Sequence, residues 1–314
     1  MARALRPPQL PMRAGVSPSC VATSTGPWPT LLDFLAARLP AISRDEWAQR
    51  MRHGDVLDDQ ARPIAPDTPH RPGIRLHYYR SLSAETEIPF EARVLYQDDM
   101  LVVADKPHFL PVTPTGRYVQ QSLLVRLKRQ LGLETLSPIH RIDRETAGLV
   151  LLSVRPQDRD AYHRLFRDRQ VQKTYEALAA APDAQVFPLV YRSLIEEDPA
   201  AFYRMREVPG VPNSETRISV LEQQGRQARY LLEPVTGRRH QLRVHMNALG
   251  LPLQGDQFYP QVLRGPDAAE DFQNPLRLLA RSLRFIDPIT GQERHFESQL
   301  ALSCSHACAT GELI

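Results

Sequence analysis

Residues 138–154 read Pro138-Ile139-His140-Arg141-Ile142-Asp143-Arg144-Glu145-Thr146-Ala147-Gly148-Leu149-Val150-Leu151-Leu152-Ser153-Val154. Charged and titratable side chains crowd the first half, and an apolar run fills the second. Pro138 and Gly148 bracket the polar part, which predicts a loop feeding a buried strand over Gly148–Val154. Working outward, Gln157–Arg169 reads as a helix and Lys173–Ala180 as a strand. Upstream, Val94–Tyr96 and Leu101–Ala104 flank a turn at Gln97–Asp99 and predict a hairpin closed by Pro107. Residues 119–131 place Leu123, Leu124, Leu127 and Leu131 on one helical face. Downstream, residues 217–222 and 228–233 read as a strand pair, and a helix runs from about Arg239 to Leu249 with Gly250 past its end. Strands mixed with helices, without a regular strand–helix–strand beat, point to an α+β fold with a mixed, mainly antiparallel sheet.

Three stretches hold residues suited to chemistry. Asp143 lies between Arg141 and Arg144, and a nearby cation keeps a carboxylate ionised, as a nucleophile or electrostatic stabiliser requires. On spacing alone, a loop whose charges merely pair with one another is the plainer reading. In residues 237–245, Arg239 and Arg243 are i,i+4 neighbours, His240 adjoins them, and Leu242, Met246 and Leu249 point inward. Arginines at a helix N-terminus suit the holding of an anion, and an exposed basic helix is the plain alternative. On the strand, period two puts Lys173 and Tyr175 on one face, where the ring can stack on a base and the amine can meet phosphate, or the ring can simply fill core.

Composition removes several function classes. In 314 residues there is no run of about 18 apolar residues, so no membrane span is expected. Three cysteines exclude a disulfide scaffold and fit a reducing compartment, here expected to be cytoplasmic. The net charge of +3 comes from Arg3, Arg6 and Arg13 in an acid-free start, so it argues nothing about nucleic acid. Locally, residues 223–250 carry five arginines against Glu233 alone, a segment that can attract a polyanion. Residues 1–27, rich in Pro, Ser and Thr, are expected to be a disordered leader. Residues 28–80 predict a small α/β module with two helices, the second opened by a Ser43/Glu46 capping box, and short strands at Val56–Leu57, Ile64 and Ile74–Tyr79. Cys304, His306 and Cys308 have metal-like spacing in the tail 301–314, but four ligands are lacking and no metal is expected. No Walker or dinucleotide fingerprint occurs.

HRIDRETAGL (140–149), VQKTYEAL (171–178) and GRRHQLRVHMNALGLPLQGDQFY (237–259) together resemble the motif set of the RluA family of pseudouridine synthases. VLYQDDMLVVADKPHFLPV (94–112) resembles that family's opening hairpin, and LARSLRFIDPITGQ (279–292) its closing segment. The resemblance covers residues 88–300 in family order, and implies a pseudouridine synthase catalytic domain there. Residues 28–80 resemble, more weakly, the RNA-binding module that often precedes such domains. The resemblance implies that Asp143 is the catalytic aspartate, that Arg243 ion-pairs with it and that Tyr175 packs on the uracil. It implies that Arg141 helps admit the flipped nucleotide; Lys173, Thr146, Arg238, Arg239 and His240 are further expected to contact substrate. Ile142, Glu145, Ala147 and Leu279 depart from the commoner Leu, Asp, Ser and His, and none removes a group the reaction needs. The expected enzyme is a monomer acting on rRNA or tRNA without a cofactor. A turnover-silent RNA-binding protein of the same fold is the alternative, which a replaced Asp143 would have marked.

Overall fold

The structure is a computed structural model describing residues 10–80, 85–183, 185–265 and 268–302. The chain divides into two units: the smaller holds the residues up to Thr86 with Thr115–Gln120 and Val125–Glu134, and the larger holds the rest.

In the smaller unit, β1 (Ser19–Ala22), β2 (Val56–Leu57) and β3 (Arg75–Tyr78) form an antiparallel sheet in the order β1-β3-β2. Between them run α1 (Leu31–Arg38) and α2 (Arg44–Arg52). Thr30 caps α1 by accepting from the Asp33 amide, and Ser43 caps α2 by accepting from the Glu46 amide at 3.2 Å, as the capping box predicts. Leu31, Phe34, Leu35, Trp47, Met51, Val56 and Leu76 make the core. The leader expectation fails where it can be checked. Ser19–Ala22 pairs with Arg75–Tyr78, and Val16 packs with Val119 and Val125. Its few apolar residues find partners far along the chain, which composition alone does not reveal.

The larger unit begins with β4 (Arg93–Gln97) and β5 (Leu101–Lys106), the expected hairpin. There follow α3 (Leu123–Leu131), mostly grouped with the smaller unit, then β6 (Ser137–Pro138), β7 (Ala147–Ser153), α4 (Arg159–Arg167) and β8 (Gln172–Ala180). Next come β9 (Leu189–Glu197), β10 (Met205–Val208), β11 (Ser214–Gln224), β12 (Gln227–Pro234), α5 (Gln241–Ala248), β13 (Leu278–Ile286) and β14 (Glu293–Glu297). The sheet runs β10-β9-β11-β12-β8-β13-β7-β5-β4, with β14 on β13 and β6 on β7. The β13–β7 pairing is parallel and the others are antiparallel, so the mixed sheet is as expected.

β5 and β7 are buried along their whole length, which explains their unbroken apolar runs. α4 covers Leu101, Val103, Leu149 and Leu151 with Tyr162 and Leu165. α5 lays Leu242 and Met246 on Ala177, Tyr230, Leu232 and Leu278, a cluster that Tyr175 joins. Gly148 lets β13 close onto β7: its φ is +109°, and a Cβ there would stand 2.3 Å from the Ala280 carbonyl oxygen. Leu279 and Ala280 thereby pair with Ala147 and Gly148, while Ala280 also pairs with Tyr175. A bulge follows between Ala280 and Ser282. The strand after the Asp143 loop and the strand bearing Tyr175 are thus one strand apart.

Candidate active site

The Asp143 loop is pinned from several sides. His140 Nε2 accepts from the Leu151 amide at 3.1 Å and its ring stacks on Phe166 at 4.5 Å. Burial pushes this imidazole down to about 3, so it is a neutral structural group. The buried Lys106 amine, which burial pushes down to about 7, donates to the carbonyls of Pro107 (2.9 Å) and Arg144 (3.1 Å), and His108 Nδ1 donates to that of Glu145 (2.7 Å). The Thr146 amide donates to the Asp143 carbonyl at 3.2 Å, closing the turn. Thr146 is itself buried and so belongs to the loop's frame.

The cation on Asp143 comes from α5, not from its sequence neighbours. Arg243 Nη1 lies 3.4 Å from Asp143 Oδ2 and 3.8 Å from Glu145 Oε2. Arg141 is exposed and has no side-chain partner among the described residues, and Arg144 pairs with Glu145 (2.9 Å) and Glu270 (2.6 Å). The expectation that flanking arginines hold Asp143 ionised is therefore corrected: in this loop conformation they point elsewhere. Burial opposes the charge on Asp143, but His240, Arg243 and Arg239 outweigh it and hold the carboxyl below its usual range. His240 Nε2 stands 3.9 Å from Asp143 Oδ2, while its Nδ1 pairs with the Tyr259 hydroxyl at 3.0 Å. Burial pushes His240 down to about 4, so near neutral pH the cation against Asp143 is Arg243.

Arg243 is itself fully buried and gripped by Asp256, which accepts from Nε at 2.8 Å and Nη2 at 2.6 Å. Burial works against the guanidinium charge, yet this bidentate pair and the neighbouring carboxylates raise its pKa. Asp256 Oδ1 also accepts from the amides of Phe258 (2.9 Å) and Tyr259 (3.2 Å). The turn before it needs Gly255, where φ is +73° and a Cβ would stand 2.1 Å from the Pro275 carbonyl oxygen.

Tyr175 lies within electrostatic reach of Asp143: burial first, then that negative charge, pushes its phenol up, so it stays protonated. Lys173 Nζ reaches the Thr236 carbonyl at 3.4 Å, beside the turn that carries Arg238 and Arg239. That turn differs from expectation, since α5 starts at Gln241 and His240 adopts left-handed backbone (φ +53°). The buried Gln241 causes this by accepting from the Arg238 amide (3.0 Å) and Thr236 hydroxyl (2.7 Å) and donating to the Glu215 carbonyl (2.9 Å). Arg238 and Arg239 are consequently exposed ahead of the helix, so Arg239 and Arg243 are not helical neighbours. Chemically, the arrangement presents an ionised carboxylate backed by a clamped guanidinium. Asp143 Oδ2 meets the arginine, Oδ1 accepts no hydrogen bond among the described residues, and the side chain keeps 25% of its surface open.

The family model for RNA pseudouridylate synthase matches residues 100–248, which contain Asp143, Tyr175 and Arg243. An RNA pseudouridine synthase of Synechocystis, otherwise uncharacterized, is 31% identical over 231 residues, 73% of this chain and 79% of that protein. The dual-specificity RNA pseudouridine synthase RluA of Yersinia pestis is 32% identical over 207 residues, 66% of this chain and 98% of that one. The chain belongs to the RluA family of RNA pseudouridine synthases. Among solved structures, human RNA pseudouridylate synthase domain containing 4 superposes with a TM-score of 0.51 at 27% identity, covering 66% of this chain and 88% of that one.

For this RluA-family chain, pattern reading missed Asp256, Lys106 and His108. Asp256 was visible in the quoted GDQFY, after a glycine, and Lys106 as a lone lysine ending an apolar strand. Among the described residues no three His, Cys, Asp or Glu side chains cluster to hold a metal, and no helix is long and apolar enough to cross a membrane. Cys304, His306 and Cys308 lie outside the described residues.

Proposed function

We propose that this protein isomerises uridine to pseudouridine in ribosomal or transfer RNA, with Asp143 as its catalytic carboxylate. The observation that carries the reading is the chain Asp143–Arg243–Asp256, in which a guanidinium is fixed from behind and leaves one carboxylate oxygen open. In the reaction N1–C1′ of the uridine breaks, the uracil turns, and C5 bonds to C1′. The hydrogen on C5 leaves to solvent and N1 gains one, so no redox partner is needed. Asp143 Oδ1 acts on the ribose, by attack on C1′ or by taking a ribose proton. The Tyr175 ring retains the detached base, since an aromatic face holds a pyrimidine in any rotational setting. Leaving the helical stack costs the uridine a few kcal/mol, so loops and weak helices are the preferred substrate.

In this reading Arg141 meets the incoming nucleotide, Lys173, Arg238 and Arg239 meet phosphate, and His240 and Thr146 hold the carboxylate's surroundings. In the same reading the protein works as a monomer, and in the cytoplasm, consistent with its sparse cysteines. Asp143→Asn is expected to abolish tritium release from RNA carrying 5-tritiated uridine while RNA binding stays within about twofold. Retained release refutes the assignment of Asp143.

A further inference from the structure

We propose that the tip joining β9 to β10 reads the RNA, its Phe202 ring stacking on a base next to the uridine that enters the Asp143 site. The inference rests on the activity proposed above. Phe202 is 75% exposed at the end of a hairpin, although it is a large apolar side chain. The tip is tightly built. The Ala201 amide donates to the Asp198 carbonyl (3.0 Å), the Arg204 amide to the Ala201 carbonyl (2.7 Å) and the Asp198 amide to the Arg204 carbonyl (3.2 Å). Arg239 Nη1 donates to the Phe202 carbonyl at 3.1 Å, tying the tip to the turn ahead of α5.

A line of rings leads from this exposed group to the carboxylate. Phe202 meets Tyr203 edge-on at 5.3 Å, Tyr203 meets Phe258 at 5.3 Å, and Phe258 stacks with His240 at 5.8 Å. His240 Nε2 is the group 3.9 Å from Asp143. Charge around the tip is mixed, with two guanidiniums open to an anion. Arg238 and Arg239 are exposed beside it, and the tip's own acid, Asp198, faces Arg204 (4.0 Å) and the Ala200 amide (3.0 Å). Glu197 is exposed at the base of the tip, Glu196 lies opposite Arg206 in the hairpin register, and the Tyr191 hydroxyl donates to Glu207. An open ring beside the exposed Arg238 and Arg239 is the chemistry that binds unpaired nucleotides, with stacking for the base and guanidinium for the phosphate. When a uridine leaves its stack its neighbour loses a stacking partner, and Phe202 supplies one.

The test uses the full chain and transcribed, unmodified tRNA and rRNA carrying 5-tritiated uridine. No release by wild type from either pool overturns the proposed activity and leaves Phe202 out of account. Given release, Phe202→Ala is expected to raise KM about tenfold, with kcat within about twofold, and Phe202→Trp to restore the wild-type KM. Unchanged thermal midpoints certify that both variants fold, as expected for a side chain in solvent. An unchanged KM in Phe202→Ala overturns the proposal and leaves the ring available for another partner, such as a protein. Equal losses in the Ala and Trp variants overturn it too, because stacking tolerates the larger ring.

Discussion

Replacing Asp256 by Asn tests whether the site is assembled from behind the guanidinium. The substitution preserves shape and leaves an oxygen for the Phe258 and Tyr259 amides, so the turn survives, while the new NH2 faces the Arg243 Nε–H donor and the guanidinium loses its bidentate carboxylate. Both partners are fully buried, with contacts of 2.8 and 2.6 Å. Charge centres about 4 Å apart attract by about 4 kcal/mol at an effective dielectric of about 20. Removing one member of a buried pair costs about 3–5 kcal/mol, because the other charge is left in a low-dielectric interior. Arg243 keeps Asp143 at 3.4 Å and Glu145 at 3.8 Å and recovers part of this by swinging toward them. The expected loss is therefore at the lower end, about 3 kcal/mol in urea unfolding at neutral pH. The swing also misplaces the guanidinium on Asp143, and a displacement of about 1 Å costs turnover roughly 100-fold. A stability loss below about 1 kcal/mol refutes the claim that Asp256 anchors the arginine. A full stability loss with wild-type kcat refutes the claim that this anchoring positions Asp143.

Tyr175→Phe keeps the ring and should retain most activity, whereas Tyr175→Ala should lose about tenfold or more in kcat, measured by tritium release. Equal behaviour of the two variants removes the ring's role. Burial holds His108, His240 and His245 at about 4 and His140 at about 3, against an ordinary 6.5, so the native state keeps all four neutral near pH 7. The unfolded chain binds these protons first, so the stability is complete above pH 6.5. It is lost as pH falls toward 4, at up to about 1.4 kcal/mol per pH unit for each histidine. Urea midpoints at pH 7, 6 and 5 should fall in that order, and a flat profile contradicts the buried neutral imidazoles.

Periodicity was enough for the elements that carry their own signal. The β4–β5 hairpin, β7, α4 and β8 were readable because apolar runs and turn residues report local backbone preference directly. The β9–β10 hairpin was not anticipated, because ten of its thirteen strand residues remain at least partly open to solvent and so carry little apolar signal. The strand in the supposed leader was hidden for a related reason: four residues of ordinary composition become a strand only when β3 offers an edge.

At the site, the motifs identified Asp143, Tyr175 and Arg243 by kind and order, since side-chain chemistry and spacing are written in the chain itself. The tertiary structure decided which arginine stands on the carboxylate. Arg141 and Arg144 are its neighbours in sequence, yet the partner is Arg243, 100 residues away. A loop directs adjacent side chains apart, while helix α5, packed on the sheet through Leu242 and Met246 and locked by Gln241 and Asp256, brings a distant guanidinium to a fixed point. Ion pairing depends on separation in space, and only the packed fold sets that separation.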